Sequence, residues 1–178
     1  PPVKVEEAHQ QEIYGFHAKF NPQGDRMMLS LRWYPASDGE SNGTNPSRKK
    51  RTRFAWITMG LNGEKKHCAI GPDQWEKGGH HATWFPDGRR ISMNLDIDRK
   101  GMRFVQVNED GTGLEKMLDD AMGSGHPTVD FAQRHLLTDA YTWEEFAYGD
   151  GTTPLRWIDL KTGQEKTILR IKTEQPCA

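Results

Sequence analysis

No run of about 18 apolar residues occurs in this chain, so no segment of it reads as a membrane-spanning helix. Charge of one sign is lacking too: 24 Lys and Arg face 25 Asp and Glu, a formal net charge of -1. With that balance there is no global field to draw in nucleic acid or an anionic membrane. Cysteine is scarce. Cys68 and Cys177 alone do not make a disulfide framework, and they say little about redox compartment. Neither a nucleophile elbow nor a phosphate-binding loop is present, which removes the commonest hydrolase and nucleotide signatures. No secretory leader pattern or initiator Met opens the chain, and the expectation is of a processed or partial sequence.

Apolar residues make up only 34% of the 178 residues, and the mean hydropathy is -0.85. Six Trp, seven Phe and four Tyr stand against that polarity. Aromatic side chains are costly to expose, so they predict a core built from few, bulky groups rather than disorder. The 18 Gly and 10 Pro are spread along the chain, which suits frequent turns between short strands.

An internal repeat sets the architecture. His17-Ala18-Lys19-Phe20-Asn21-Pro22-Gln23-Gly24 aligns with His81-Ala82-Thr83-Trp84-Phe85-Pro86-Asp87-Gly88. A third copy runs His126-Pro127-Thr128-Val129-Asp130-Phe131-Ala132-Gln133, where Gln133 replaces the turn glycine. The copies begin 64 and 45 residues apart. The longer spacing holds an insertion, residues 35–53, with almost nothing apolar in it. Without it both spacings approach the roughly 40–50 residues of a four-stranded propeller blade. Each copy continues with an alternating strand (Ile91, Met93, Leu95 in the second), a third strand, a Gly-containing turn and a polar outer strand. The fold class predicted is all-β: a partial β-propeller of three four-stranded antiparallel blades, at about 13–71, 80–119 and 125–171. The competing reading is one antiparallel sandwich whose strands look alike by chance.

The His-x-x-Trp-Phe-Pro-Asp-Gly-Arg-Arg segment, the Val107-Asn108-Glu109-Asp110-Gly111-Thr112-Gly113 turn and the Ile158-Asp159-Leu160-Lys161-Thr162-Gly163 turn resemble TolB-like propeller repeats. Gly125-His126-Pro127-Thr128, Leu137-Thr138-Asp139-Ala140-Tyr141 and Pro154-Leu155-Arg156-Trp157 are similar to oligogalacturonate lyases. That resemblance implies a seven-bladed bacterial protein of periplasm or cytoplasm. It would cleave uronate-containing oligosaccharides by β-elimination, with a divalent metal, manganese, on axial histidines. Carried onto this chain, the metal ligands are His81 and His126, with His17 added by the repeat.

Position argues the same way. The inner strand of a blade lines the central channel, so equivalent histidines at its start would meet at one mouth. Three neutral imidazoles there would suit a borderline metal, which would acidify the proton next to a bound carboxylate. The plainer alternative is that each histidine caps its own blade. Arg32 and Arg156 are candidates for binding the anionic sugar, with ordinary surface charge as the alternative. The base is left open among the histidines, Lys19 and Arg32. His80, one residue from His81, is read as structural because strand alternation turns it away. The basic run Arg48–Arg53 is read as a solvated loop, the Asn42 sequon as chance, and Asp96–Gly101 as a hairpin turn rather than a calcium loop. A second function stands beside the enzyme: a non-catalytic TolB-like scaffold for a protein partner. Three blades alone would leave two raw sheet faces, so self-association or completion by further blades is expected.

Overall fold

The computed structural model describes residues 13–33, 53–76 and 78–172. Asn42, Arg48–Thr52 and Cys177 lie outside them. Apart from one short helix, the regular elements of the described residues are all strands, in three four-stranded antiparallel sheets. The first holds β1 (Tyr14–Phe20), β2 (Arg26–Trp33), β3 (Arg53–Gly60) and β4 (His67–Ile70). The second holds β5 (Gly79–Trp84), β6 (Arg90–Leu95), β7 (Arg103–Asn108) and β8 (Glu115–Lys116). The third holds β9 (Thr128–Val129), β10 (His135–Thr138), β11 (Thr152–Asp159) and β12 (Glu165–Lys172). In each sheet every strand pairs with its sequence neighbour, which is the meander of a propeller blade. One short helix, α1 (Pro72–Trp75), was not foreseen; it links the first sheet to the second and buries Trp75.

The same two turns recur three times. Between the first two strands, the amides of Gly24, Gly88 and Gln133 donate to the carbonyls of Asn21, Phe85 and Asp130, at 3.0, 2.9 and 2.8 Å. All three donors are left-handed, with φ of 72°, 66° and 55°. Gln133 therefore does the glycine's work at a steric cost, and the third turn keeps its form. An Asn or Asp side chain closes each turn: Asn21, Asp87 and Asp130 each accept two main-chain N–H groups. The outer turns match as well, with Gly63, Gly111 and Gly163 donating to Gly60, Asn108 and Asp159, each at 2.9 Å.

Strand alternation then decides what packs between blades. Met28, Trp56, Ile70 and Trp75 of the first blade meet Trp84, Ile91, Met93, Leu95, Val105 and Val107 of the second. Phe85, Phe104 and Leu118 of the second meet Val129, Leu136 and Ile158 of the third. Polar ties cross the same boundaries. Lys19 donates to the Ala82 carbonyl (2.7 Å), and Thr58 to that of Glu109 (2.6 Å). Buried Arg26 forms an ion pair with Glu109, which also holds Arg89 at 3.0 Å. The first blade's other face, expected to be raw, is not bare: Trp33, Ala55 and Ile57 are buried there among Leu31, Met59 and Cys68.

Candidate functional site

His17 and His81 occupy equivalent kinks. The register of β1 with β2 slips between Phe16 and Lys19, and that of β5 with β6 between His80 and Thr83. Each slip is a bulge containing the histidine, and each histidine is left-handed, with φ of 53° and 59°. A non-glycine residue held so costs of order 1 kcal/mol, and bulges of this kind re-aim a side chain. In the third blade Gly125, at φ 61°, supplies the left-handed residue, one position before His126. A Cβ on Gly125 would collide with the Asp139 carbonyl, so glycine is required there.

These kinks and the end of β10 bring His80, His81 and His126 together with Asp139, Tyr141 and Glu144. The His81 and His126 rings lie 3.9 Å apart, tilted by 38°. The Tyr141 hydroxyl shares a short hydrogen bond with Nε2 of His81. His126 is held by Asp139, whose carboxylate accepts from its main-chain N–H (2.6 Å) and from Nδ1 (3.1 Å). His80 Nδ1 lies 3.2 Å from the Asn94 amide, which also donates to the Gly125 carbonyl at 2.7 Å. Glu144 accepts from the Tyr141 main-chain N–H at 2.9 Å and from the Ser124 hydroxyl. Outermost stands Trp143, stacked on Tyr141 at 4.6 Å and 11°, and 78% exposed.

The electrostatics follow from this crowding. Burial pushes the His81 imidazole down to about 4, and the neighbouring His126 and His80 push the same way. Burial also lowers His80, with Glu144 opposing and His126 adding to the effect. Burial alone would raise the Asp139 carboxyl, but the hydrogen bonds from His126 outweigh it and hold the group below the ordinary carboxylate range. Tyr141 is raised by burial and by the charges of Asp139 and Glu144. At neutral pH the site therefore presents a neutral His81 and a protonated phenol.

Of the three histidines expected to share a metal, two are brought together. His17 is exposed, packs on Phe16 at 4.5 Å, and is close enough for its charge to bear on His81. The His81 and His126 rings are tilted against each other, with Tyr141 on Nε2 of His81 and Asp139 on Nδ1 of His126, so Nδ1 of His81 and Nε2 of His126 are the nitrogens these partners leave unengaged. Among the described residues no three His, Cys, Asp or Glu side chains are grouped as ligands of a metal.

The two arginines part company. Arg32 sits at the same end of the blades, its guanidinium 5.1 Å from the Phe54 ring and 5.8 Å from that of Tyr14. Arg156 is not at the mouth and is not free for a sugar. It is 1% exposed, bound through two 2.8 Å hydrogen bonds to Glu165, and lies 3.9 Å from the Phe146 ring. Its place in β11 turns it into the boundary with the second blade, where alternation allows no other direction. Asp139, Tyr141, Trp143 and Glu144 were not singled out as site residues in the sequence, because only the fold brings them to His81.

No family model matches the chain, and no curated protein matches it. Solved structures do. TolB from Acinetobacter baumannii is 12% identical, with a TM-score of 0.53 over 85% of this chain and 31% of that one. A putative TolB from Agrobacterium tumefaciens is 16% identical, with a TM-score of 0.54 over 89% of this chain and 68% of that one. The β-propeller domain of the trilobed protease from Pyrococcus furiosus is 11% identical, with a TM-score of 0.50, covering 92% of this chain and 44% of that one. The chain thus spans about a third of the first of these and under half of the last. At these identities the likeness shows the fold alone, a TolB-like β-propeller.

Proposed function

We propose that this chain is part of a non-catalytic TolB-like propeller that binds a protein partner at the mouth carrying His81 and His126. The observation that carries this reading is the Tyr141–Trp143 stack, with an indole left 78% exposed beside a half-buried, hydrogen-bonded cluster. Tryptophan, tyrosine and arginine dominate the binding energy of protein interfaces, and a rigid aromatic loses little entropy on binding. Tyr141 is fixed by His81 and Glu144, so the platform is held in place before a partner arrives. The test is a photo-crosslinking amino acid at position 143, with position 131, at the other end of the inner strand, as control. A specific partner should cross-link from 143 and not from 131, and Trp143→Ala should weaken that complex about 30-fold or more, the cost of a hot-spot residue. Equal capture from both positions, or unchanged affinity in the variant, would sink the reading.

A lyase-like enzyme for anionic oligosaccharides is the second reading. What favours it is the strained backbone at His17 and His81, since such outliers cluster at working sites. Among the described residues no group of three metal-ligating side chains adds to that support. Incubation with oligogalacturonate, with and without added manganese, checks it by ultraviolet absorbance of an unsaturated product. A flat trace in both removes it.

A further inference from the structure

Arg32 stands in the middle of a cross-strand row. Tyr14 is directly opposite it on β1 and Phe54 directly opposite it on β3. Side chains so placed share one face of the sheet, here the face on which Phe54 packs against the core joined to the second blade. Phe16, next on that face of β1, closes the group. The guanidinium lies 5.1 Å from the Phe54 ring, 5.8 Å from that of Tyr14 and 5.9 Å from that of Phe16. Phe54 is stacked in turn on Trp75, at 4.9 Å and 18°, and the Trp75 indole donates to the Gly79 carbonyl at 2.9 Å. The cage of rings is therefore fixed before anything enters it.

What the cage lacks is an anion. Buried Arg26 and Arg156 are each paired with a glutamate, Glu109 and Glu165. Arg32 is half-buried with its Nε shut off from water, yet among the described residues it has no hydrogen-bond acceptor and no ion-pair partner. The acids beside Trp75 are engaged elsewhere: Asp73 and Glu76 face Arg53, at 3.7 and 3.8 Å. Arginine does not shed its charge in proteins, and a buried donor left without an acceptor is costly. Ring faces attract the cation, but only an acceptor in the guanidinium plane satisfies its N–H groups, and a carboxylate takes two of them at once. We propose that the Arg32 cage binds the carboxylate of a Glu or Asp side chain presented by a partner protein. The methylenes of that side chain would lie on Tyr14, which is 41% exposed. This rests on the partner reading above and gives that partner an acidic anchor at the same end of the blades as His81. A uronate fits less well, since of the three rings only Tyr14 carries a polar group to replace the water lost by the sugar hydroxyls.

The test follows the Arg32 Nε–H and the Tyr14 and Phe54 amides of the full chain by nuclear magnetic resonance, at constant ionic strength. The probe is N-acetyl-glutamate amide, and N-acetyl-glutamine amide is its neutral isostere. The acid should move these resonances along a saturating curve, and the isostere should leave them in place. Arg32→Lys, which keeps the charge and loses the planar fork, should weaken the acid about fivefold or more, and Arg32→Met should abolish its binding. The comparison of acid with isostere needs neither variant to fold. Trp143→Ala removes the platform and not the cage, so it should leave the curve unchanged, and failure of this site is told apart from failure of the reading above. No saturable shift, an equal shift with the isostere, undiminished binding by both Arg32 variants, or tighter binding of galacturonate or inorganic phosphate than of the acid would each overturn the proposal.

Discussion

His81 sits in a left-handed backbone, under the ring of His126, with its Nε2 on a phenol. Burial first, and then the neighbouring His126 and His80, favour the neutral imidazole against the opposing pull of Asp139, and its pKa falls from the ordinary 6.5 to about 4. The unfolded chain therefore binds more protons at this residue than the folded one between those two values. Stability from His81 is complete above pH 6.5 and is lost as pH falls towards 4. His80, lowered for a similar reason, acts in the same direction. The melting temperature should drop across that window, and His81→Gln should flatten the drop in thermal scans from pH 7 to 4. Glycines give a second residue-scale contrast. At Gly125 a side chain would meet the Asp139 main chain, whereas at Gly163, also left-handed, nothing lies within 4 Å. Gly163→Ala should cost about 1 kcal/mol from conformation alone. Gly125→Ala should cost well over about 2 kcal/mol, because it adds a clash to that strain. Denaturant titration of the two variants separates the terms.

Between elements, burial on both faces of β6 and β7 makes the second blade the one that neighbours hold from both sides. The Arg26–Glu109 ion pair tethers the first blade to it, with the Arg26 side chain 7% exposed. Removing one partner of a buried pair leaves the other charged and unpaired, which costs about 3 kcal/mol or more. Glu109→Ala should therefore destabilise the fold by that order, and Arg26→Met in the same background should recover part of the loss. An equilibrium urea series of the three proteins checks both outcomes.

Over the whole molecule, stability is shared unevenly. The core between the first two blades joins twelve buried residues, and that between the second and third joins six. In repeat architectures stability is close to a sum of such boundaries. The third blade should thus open first, with β10 and β11 amides exchanging before those of β6 and β7. Site-resolved native-state hydrogen exchange in low denaturant would show this order, and a single cooperative opening would contradict it.

Much of the fold was legible in the sequence because it is written locally. Turn chemistry at Asn21–Gly24, Phe85–Gly88 and Asp130–Gln133, followed by strands of period two, is enough to specify three four-stranded meanders. That His17 and His81 share a position was equally plain, since it needs only the repeat. The direction of their rings was not, because a bulge reverses the alternation on which any sequence reading relies. The partners of His81 were also out of reach, Tyr141 being 60 residues away in the next blade. Arg156 shows the same limit from the other side: its charge was visible, while the Glu165 and Phe146 that consume it came only with the packing of the third blade. Local patterns fixed the strands and their order. Tertiary structure decided which side chains meet, because contacts at a propeller mouth join ends of strands that the sequence keeps far apart.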